Sequence, residues 1–190
     1  MKRFFAVLLL CIAVLTSCVV KDSELLEELT EDISLEEAKA CGYVVHEDGD
    51  VTSGKEIFAE FLKKTEAGEA ATVRLGFYYT LDRDRVTEEY YNEHKDRYPV
   101  LYISELIFDG KEYILRYFED GKELRKKYAY MKYLPFYPKN VESDYEMIVH
   151  YVLLNDETVK SYDEIWRSLA SSVMGDYIEH STVYSEYISK

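Results

Sequence analysis

Residues 100–134 read VLYISELIF-DG-KEYILRYFE-DG-KELRKKYAYMKYL, and this stretch decides the fold. Val100 to Phe108, Tyr113 to Phe118 and Leu124 to Leu134 are three strand-like runs, rich in β-branched and aromatic residues. Asp109-Gly110 and Asp120-Gly121 separate them. Asp-Gly suits a two-residue hairpin turn, because a type I′ turn needs positive φ at both central positions. Two such turns fix a register. Phe108 faces Lys111, so Leu106 pairs with Tyr113 and Tyr102 with Tyr117. Glu119 faces Lys122, so Tyr113 pairs with Tyr128 and Tyr117 with Leu124. One face becomes an aromatic and aliphatic layer. The other aligns Arg116 with Arg125, and Ile114 with Lys127. Apolar pattern and turn chemistry agree on this arrangement.

Working outward, Val73, Leu75, Phe77 and Tyr79 alternate with Arg74, Gly76, Tyr78 and Thr80, which predicts another half-buried strand. Before it, Ser53-Gly-Lys-Glu56 has capping-box spacing and opens a helix over 54–67, with Gly68 closing it. Ile57, Phe58, Phe61 and Leu62 share one face of that helix and can cover the sheet. Ser34-Leu-Glu-Glu37 caps a short helix ending at Gly42, followed by a strand at Tyr43-Val44-Val45 and a turn at residues 46–50. Residues 81–98 are charged, with a helical turn near Thr87 to His94. Pro135 and Pro138 end the third run of the meander, and Tyr145 to Leu154 is a last strand. Ser161-Tyr-Asp-Glu164 caps a C-terminal helix through Ile165, Trp166 and Leu169, and Val173, Tyr177 and Ile178 keep helical spacing beyond it. The predicted fold class is α+β: a helix packed on a mainly antiparallel meander of about five strands, with a C-terminal helix.

The N-terminus carries an address. Lys2 and Arg3 precede an unbroken apolar run, Phe4 to Val14, too short to span a bilayer. The run ends in Leu15-Thr16-Ser17-Cys18. This resembles the lipobox of bacterial lipoproteins, and the resemblance implies a signal peptide over 1–17, cleavage before Cys18 and a diacylglyceryl group on its thiol. Residues 18–33 then read as an acidic tether, and 34–190 as a single α+β domain. Lys2 and Arg3 leave with the signal, taking the formal charge from -14 to -16. With Cys11 removed and Cys18 acylated, Cys41 is the remaining thiol, so no intramolecular disulfide is expected. Cys41 reads as a buried, inert thiol. Val44-Val45, Asp48-Gly49-Asp50-Val51, the helix 54–67 and Thr72-Val73-Arg74 together look like an entry found in small Gram-positive lipoproteins that carry a domain of unknown function. That resemblance covers about residues 42–120 and brings no catalytic residues.

The chain has 190 residues, 47% hydrophobic and 32% charged, with 37 acidic and 23 basic side chains and 19 tyrosines. There is ample apolar material for a core, and the acidic balance makes nucleic acid an unlikely partner. No P-loop, G-x-G-x-x-G, G-x-S-x-G or C-x-x-C occurs. His46-Glu47 opens like a zinc-protease motif, but Asp50 stands where the second histidine belongs. Asp48 and Asp50 hint at a cation loop, yet Ser53 and Ala59 occupy the positions that need Gly and Glu, so a tight turn is the simpler reading. Neither metal nor cofactor is expected. Arg116, Arg125 and Lys127 cluster on one sheet face, where like charges repel. Two readings stand for them: a face neutralised by solvent and by Glu105, or a site for an anionic ligand or acidic partner. Tyrosine offers apolar area with a polar handle and is common at binding surfaces, though it also simply favours strands. Function then divides between a non-enzymatic, lipid-anchored binding module on the extracytoplasmic face of the membrane and an envelope-acting hydrolase with carboxylates still to be identified. A flat, aromatic-lined sheet face would favour the first; a deep cleft with two convergent carboxylates would favour the second.

Overall fold

The computed structural model describes residues 33–138, 145–173 and 175–190; the signal run, Cys18 and the tether to residue 32 lie outside them. In chain order the elements begin with helix α1 (Leu35–Ala40), strands β1 (Val44–Glu47) and β2 (Asp50–Ser53), and helix α2 (Lys55–Glu66). Strand β3 (Ala71–Tyr79), helix α3 (Glu88–His94) and strands β4 (Val100–Phe108), β5 (Tyr113–Glu119) and β6 (Lys122–Tyr128) follow. Strands β7 (Tyr130–Phe136) and β8 (Tyr145–Leu154), helix α4 (Tyr162–Ala170) and strand β9 (His180–Ser189) complete the described chain. The fold is α+β, with two sheets. Six strands lie in the order β2-β1-β3-β4-β5-β6, and three in the order β7-β8-β9. All neighbours are antiparallel except β1 and β3, which are parallel, with β2 and α2 between them in the chain.

The β5–β6 register is the predicted one, with Tyr113 opposite Tyr128, Arg116 opposite Arg125 and Glu119 opposite Lys122. The β4–β5 register differs by two residues: Leu106 pairs with Leu115 and Phe108 with Tyr113. Asp109 explains the shift. Its Oδ1 accepts hydrogen bonds from the N–H groups of Lys111 and Glu112, both at 2.9 Å, which builds a four-residue loop in place of a two-residue turn. A shift of two leaves every side chain on its predicted face.

The run 124–134 is two strands in different sheets. Asn155 breaks it, accepting from the Ala129 N–H at 3.0 Å and donating to the Lys127 carbonyl at 3.3 Å. The chain then turns into β7, whose Pro135 is tolerated because β7 is an edge strand. The final segment is β9, a strand and not a continuation of the C-terminal helix. A bulge between Tyr151 and Val152 puts Val183 and Tyr184 inside in succession, so the period-two signal is broken.

Of the three predicted capping boxes, Ser34–Glu37 forms in full, while Ser161 caps its helix through the Glu164 N–H and the Glu164 carboxylate accepts from the Ser161 hydroxyl and the Lys160 N–H. Ser53 does not cap α2. It stays in β2 opposite Val45, and Gly54 serves as N-cap with φ 77°. A Cβ at Gly54 would lie 2.6 Å from the Tyr43 carbonyl oxygen, so only glycine lets the helix start that close to the sheet.

One core joins α2 to the facing sides of both sheets. Phe58 stacks on Tyr184, with centroids 4.2 Å apart, and meets the edge of Tyr151 at 5.3 Å. Val73, Leu75, Leu106 and Tyr128 of the large sheet and Leu153 and Val183 of the small one complete it. Ile57, expected on the buried face, is 40% exposed. Alpha-1 covers part of the other face of the large sheet through Ala38, with Tyr43, Val45, Ile103 and half-buried Cys41. Alpha-4 covers the outer face of the small sheet through Ile165, against Leu134, Val152 and Leu154.

Candidate binding site

Arg116, Arg125 and Lys127 do share a face, but the structure gives each a carboxylate. Arg116 is 8% exposed. It donates to Glu105 at 2.7 Å and to both oxygens of Glu123, at 3.1 and 3.2 Å. Arg125 donates to Glu123, and Lys127 to Glu112. Hydrogen bonding to Glu123, more than the charge of Glu105, raises the Arg116 pKa. Arg74 approaches Glu105 at 3.8 Å and lies over the ring of buried Tyr43. This is an internal ion network of alternating sign. It holds β3 to β6 together and engages the guanidinium of Arg116 on both sides.

A cleft lies on the same strands, near the other end. The β4–β5 ladder stops at Ser104 opposite Tyr117. Both strands run on, β4 held by β3 back to Val100 and β5 held by β6 out to Glu119. The sheet therefore forks. On the α1 side, Ile103 and Phe118 pack into the cluster around Ala38 and Tyr43, where that helix accommodates two bulky side chains at the fork. Between the prongs is a cleft of about 450 Å³. Tyr102, Ser104, Tyr117 and Phe118 line it, and β9 closes one side with Ser181 and Thr182. Tyr102 is 57% exposed and meets Tyr79 edge-on at 6.1 Å. The Lys126 ammonium sits 5.8 Å from the Tyr117 ring centre, and hydrogen bonding to Tyr117 is the main cause of its raised pKa. Ser181 is tied to the Tyr128 hydroxyl at 2.7 Å. Ser104 is 92% buried, and among the described residues nothing hydrogen-bonds its hydroxyl. None of the residues lining the cleft carries a carboxylate. Such a lining can stack on and hydrogen-bond to a ligand; it offers no acid and base pair for hydrolysis.

A second cleft, about 410 Å³, lies where β6 gives way to β7, with Lys111, Lys132 and Lys160 around Tyr130. The Lys132 ammonium already donates to the carbonyls of Glu157 and Val159. Elsewhere, Asp48 is a turn residue at φ 50°, its carboxylate accepting from the Thr80 N–H at 2.8 Å and the Thr80 hydroxyl at 2.7 Å. Among the described residues no three His, Cys, Asp or Glu side chains gather as a metal site would require, and no helix is long and apolar enough to cross a membrane.

Sequence reasoning placed Tyr102 and Tyr117 on the apolar face but not at a cleft. It missed Ser104, Ser181 and Thr182. The last two lie in a segment whose bulged period concealed a strand, and a fork in a sheet leaves no periodic trace. Compared with known proteins, the chain matches no family model, no curated sequence and no solved structure.

Proposed function

We propose that the chain is a non-enzymatic, lipid-anchored binding module of the cell envelope. Residues 1–17 are its signal, Cys18 its acylated N-terminus, and the fork between β4 and β5 its binding site. The observation that carries the reading is the lining of that cleft, tyrosine rings and hydroxyls with no carboxylate. The lipobox supports the anchor. A diacylglyceryl group supplies two acyl chains, enough for stable attachment at about 0.8 kcal/mol per buried CH₂. A body of charge -16 is repelled by anionic headgroups, so the lipid alone holds it at the membrane. The same charge disfavours nucleic acid.

In cells fed a labelled fatty acid, the wild-type chain takes up label and fractionates with the membrane, and Cys18→Ala does neither. The full chain sediments with isolated cell envelopes and releases no soluble fragments from them. Label retained by Cys18→Ala would refute the anchor; fragment release would refute the non-enzymatic reading.

A further inference from the structure

We infer that the fork between β4 and β5 binds a neutral saccharide, with Tyr102 stacking on a sugar ring and Ser104 hydrogen-bonding to its hydroxyls. This rests on the binding-module reading and names its ligand class.

The cleft, at about 450 Å³, falls within the ~300–1,000 Å³ usual for small-molecule sites. Its chemistry is mixed at close range. Tyr102 presents an open ring, and the half-buried Tyr117 a second one. Ser104 and Thr182 line the space, and among the described residues the Ser104 hydroxyl has no hydrogen-bond partner. The Ser104 hydroxyl reaches the cleft without a protein partner among the described residues, so an occupant of the cleft can donate or accept there. Where the ladder ends, backbone groups on the inner edges of both prongs also lack a strand partner. A sugar ring matches this set, with an apolar C–H face for the tyrosines and a rim of hydroxyls for the rest.

Other ligand classes fit less well. An acyl chain would strand the hydroxyls in an apolar contact. An extended peptide needs a continuous edge, and β5 offers only Phe118 and Glu119 beyond the ladder, roughly 7 Å of strand. An anion would approach against the field of an acidic protein, and the nearby Lys126 is already engaged with Tyr117.

The test uses the full lipidated chain in detergent micelles. It is titrated calorimetrically with neutral linear tetrasaccharides of glucose, mannose and N-acetylglucosamine, with tetragalacturonate, and with a blocked tetra-alanine peptide. At least one neutral tetrasaccharide binds. Tyr102→Ala weakens it about tenfold, Ser104→Ala severalfold, and Tyr102→Phe stays close to wild type. Tyr102 is 57% exposed, so its variants keep the wild-type melt and report on binding alone. The inference falls if no neutral tetrasaccharide binds, if tetragalacturonate or the peptide binds more tightly, or if Tyr102→Ala and Ser104→Ala both bind as wild type does. If wild type and Tyr102→Ala sediment equally with envelopes, the module reading stands and the fork loses its role. If wild type does not sediment, the module reading fails on its own account.

Discussion

Acid should unfold this protein from the inside, through two histidines that share one serine. His46 is 2% exposed, stacked on Phe77 at 4.8 Å and meeting the edge of Tyr184 at 5.3 Å. Its Nε2 accepts the Ser185 N–H at 3.3 Å, so the neutral ring carries its proton on Nδ1, where no partner waits. His150 is 8% exposed, stacks on Tyr162 at 3.8 Å, and its Nδ1 pairs with the Ser185 hydroxyl at 2.8 Å. Burial pushes each imidazole from 6.5 down to about 4. Between those values the unfolded chain binds more protons than the folded one. The stability contributed by the neutral rings is therefore complete above about pH 6.5, falls as pH drops, and is exhausted near pH 4. The full effect is about 3 kcal/mol per histidine, of which about 2 is already lost at pH 5. The paired carboxylates Glu123 and Glu186, with lowered pKa values, lose their stabilisation only below about pH 4.5, so measurements that stop at pH 5 stay clear of them. Urea unfolding followed by circular dichroism between pH 7.5 and 5 isolates the histidines. The loss of about 4 kcal/mol moves the midpoint by more than about 1 M urea. His46→Gln keeps an acceptor for Ser185, and His150→Gln keeps a partner for its hydroxyl. Each should remove about half of the pH slope, whatever it does to stability at pH 7.5. A midpoint constant from pH 7.5 to 5, or a slope unchanged in the double variant, would refute the reasoning.

Phe58→Ala should cost about 3–5 kcal/mol, since Phe58 is 2% exposed at the junction of α2 and both sheets, whereas Ile57→Ala on the open side should stay within about 0.5; thermal melts compare them. Glu105→Gln should cost about 1.5–3 kcal/mol by weakening the shorter of the bonds to Arg116 while Glu123 still holds its charge, and Arg125→Ala, an exposed member of the same network, should be nearly silent in urea titrations.

The sequence revealed the elements of the large sheet because their signals are local. Alternation from Val73 to Tyr79 and the Asp120-Gly121 turn each act within a few residues, and both led to the observed faces. The errors arose where a distant group intervened. Asn155 lies 26 residues from the Ala129 N–H it captures, and it divides a run that looks continuous. Ser53 has a capping sequence, but pairing with Val45 holds it in a strand. The β9 bulge brings two adjacent residues inside, and period-two reading cannot register that.

The same logic explains why the candidate site was invisible while its strands were not. Asp109 lengthens its loop by two residues, and the β4–β5 ladder accordingly moves toward the loop. Under the two-residue turn, Tyr102 would have paired with Tyr117 and the sheet would have been continuous there. In the observed register Tyr117 pairs with Ser104, which leaves Tyr102 beyond the last rung, and 57% exposed. The ion network about Arg116 locks the rungs just above, with Glu105 and Arg116 directly opposite each other and Glu123 bonded from the next strand. Beyond that lock the prongs are held only by their outer neighbours, and Ile103 and Phe118 go to the α1 cluster. The cationic face that sequence alone marks as a possible site thus ties β4, β5 and β6 together one rung from the point where the sheet forks.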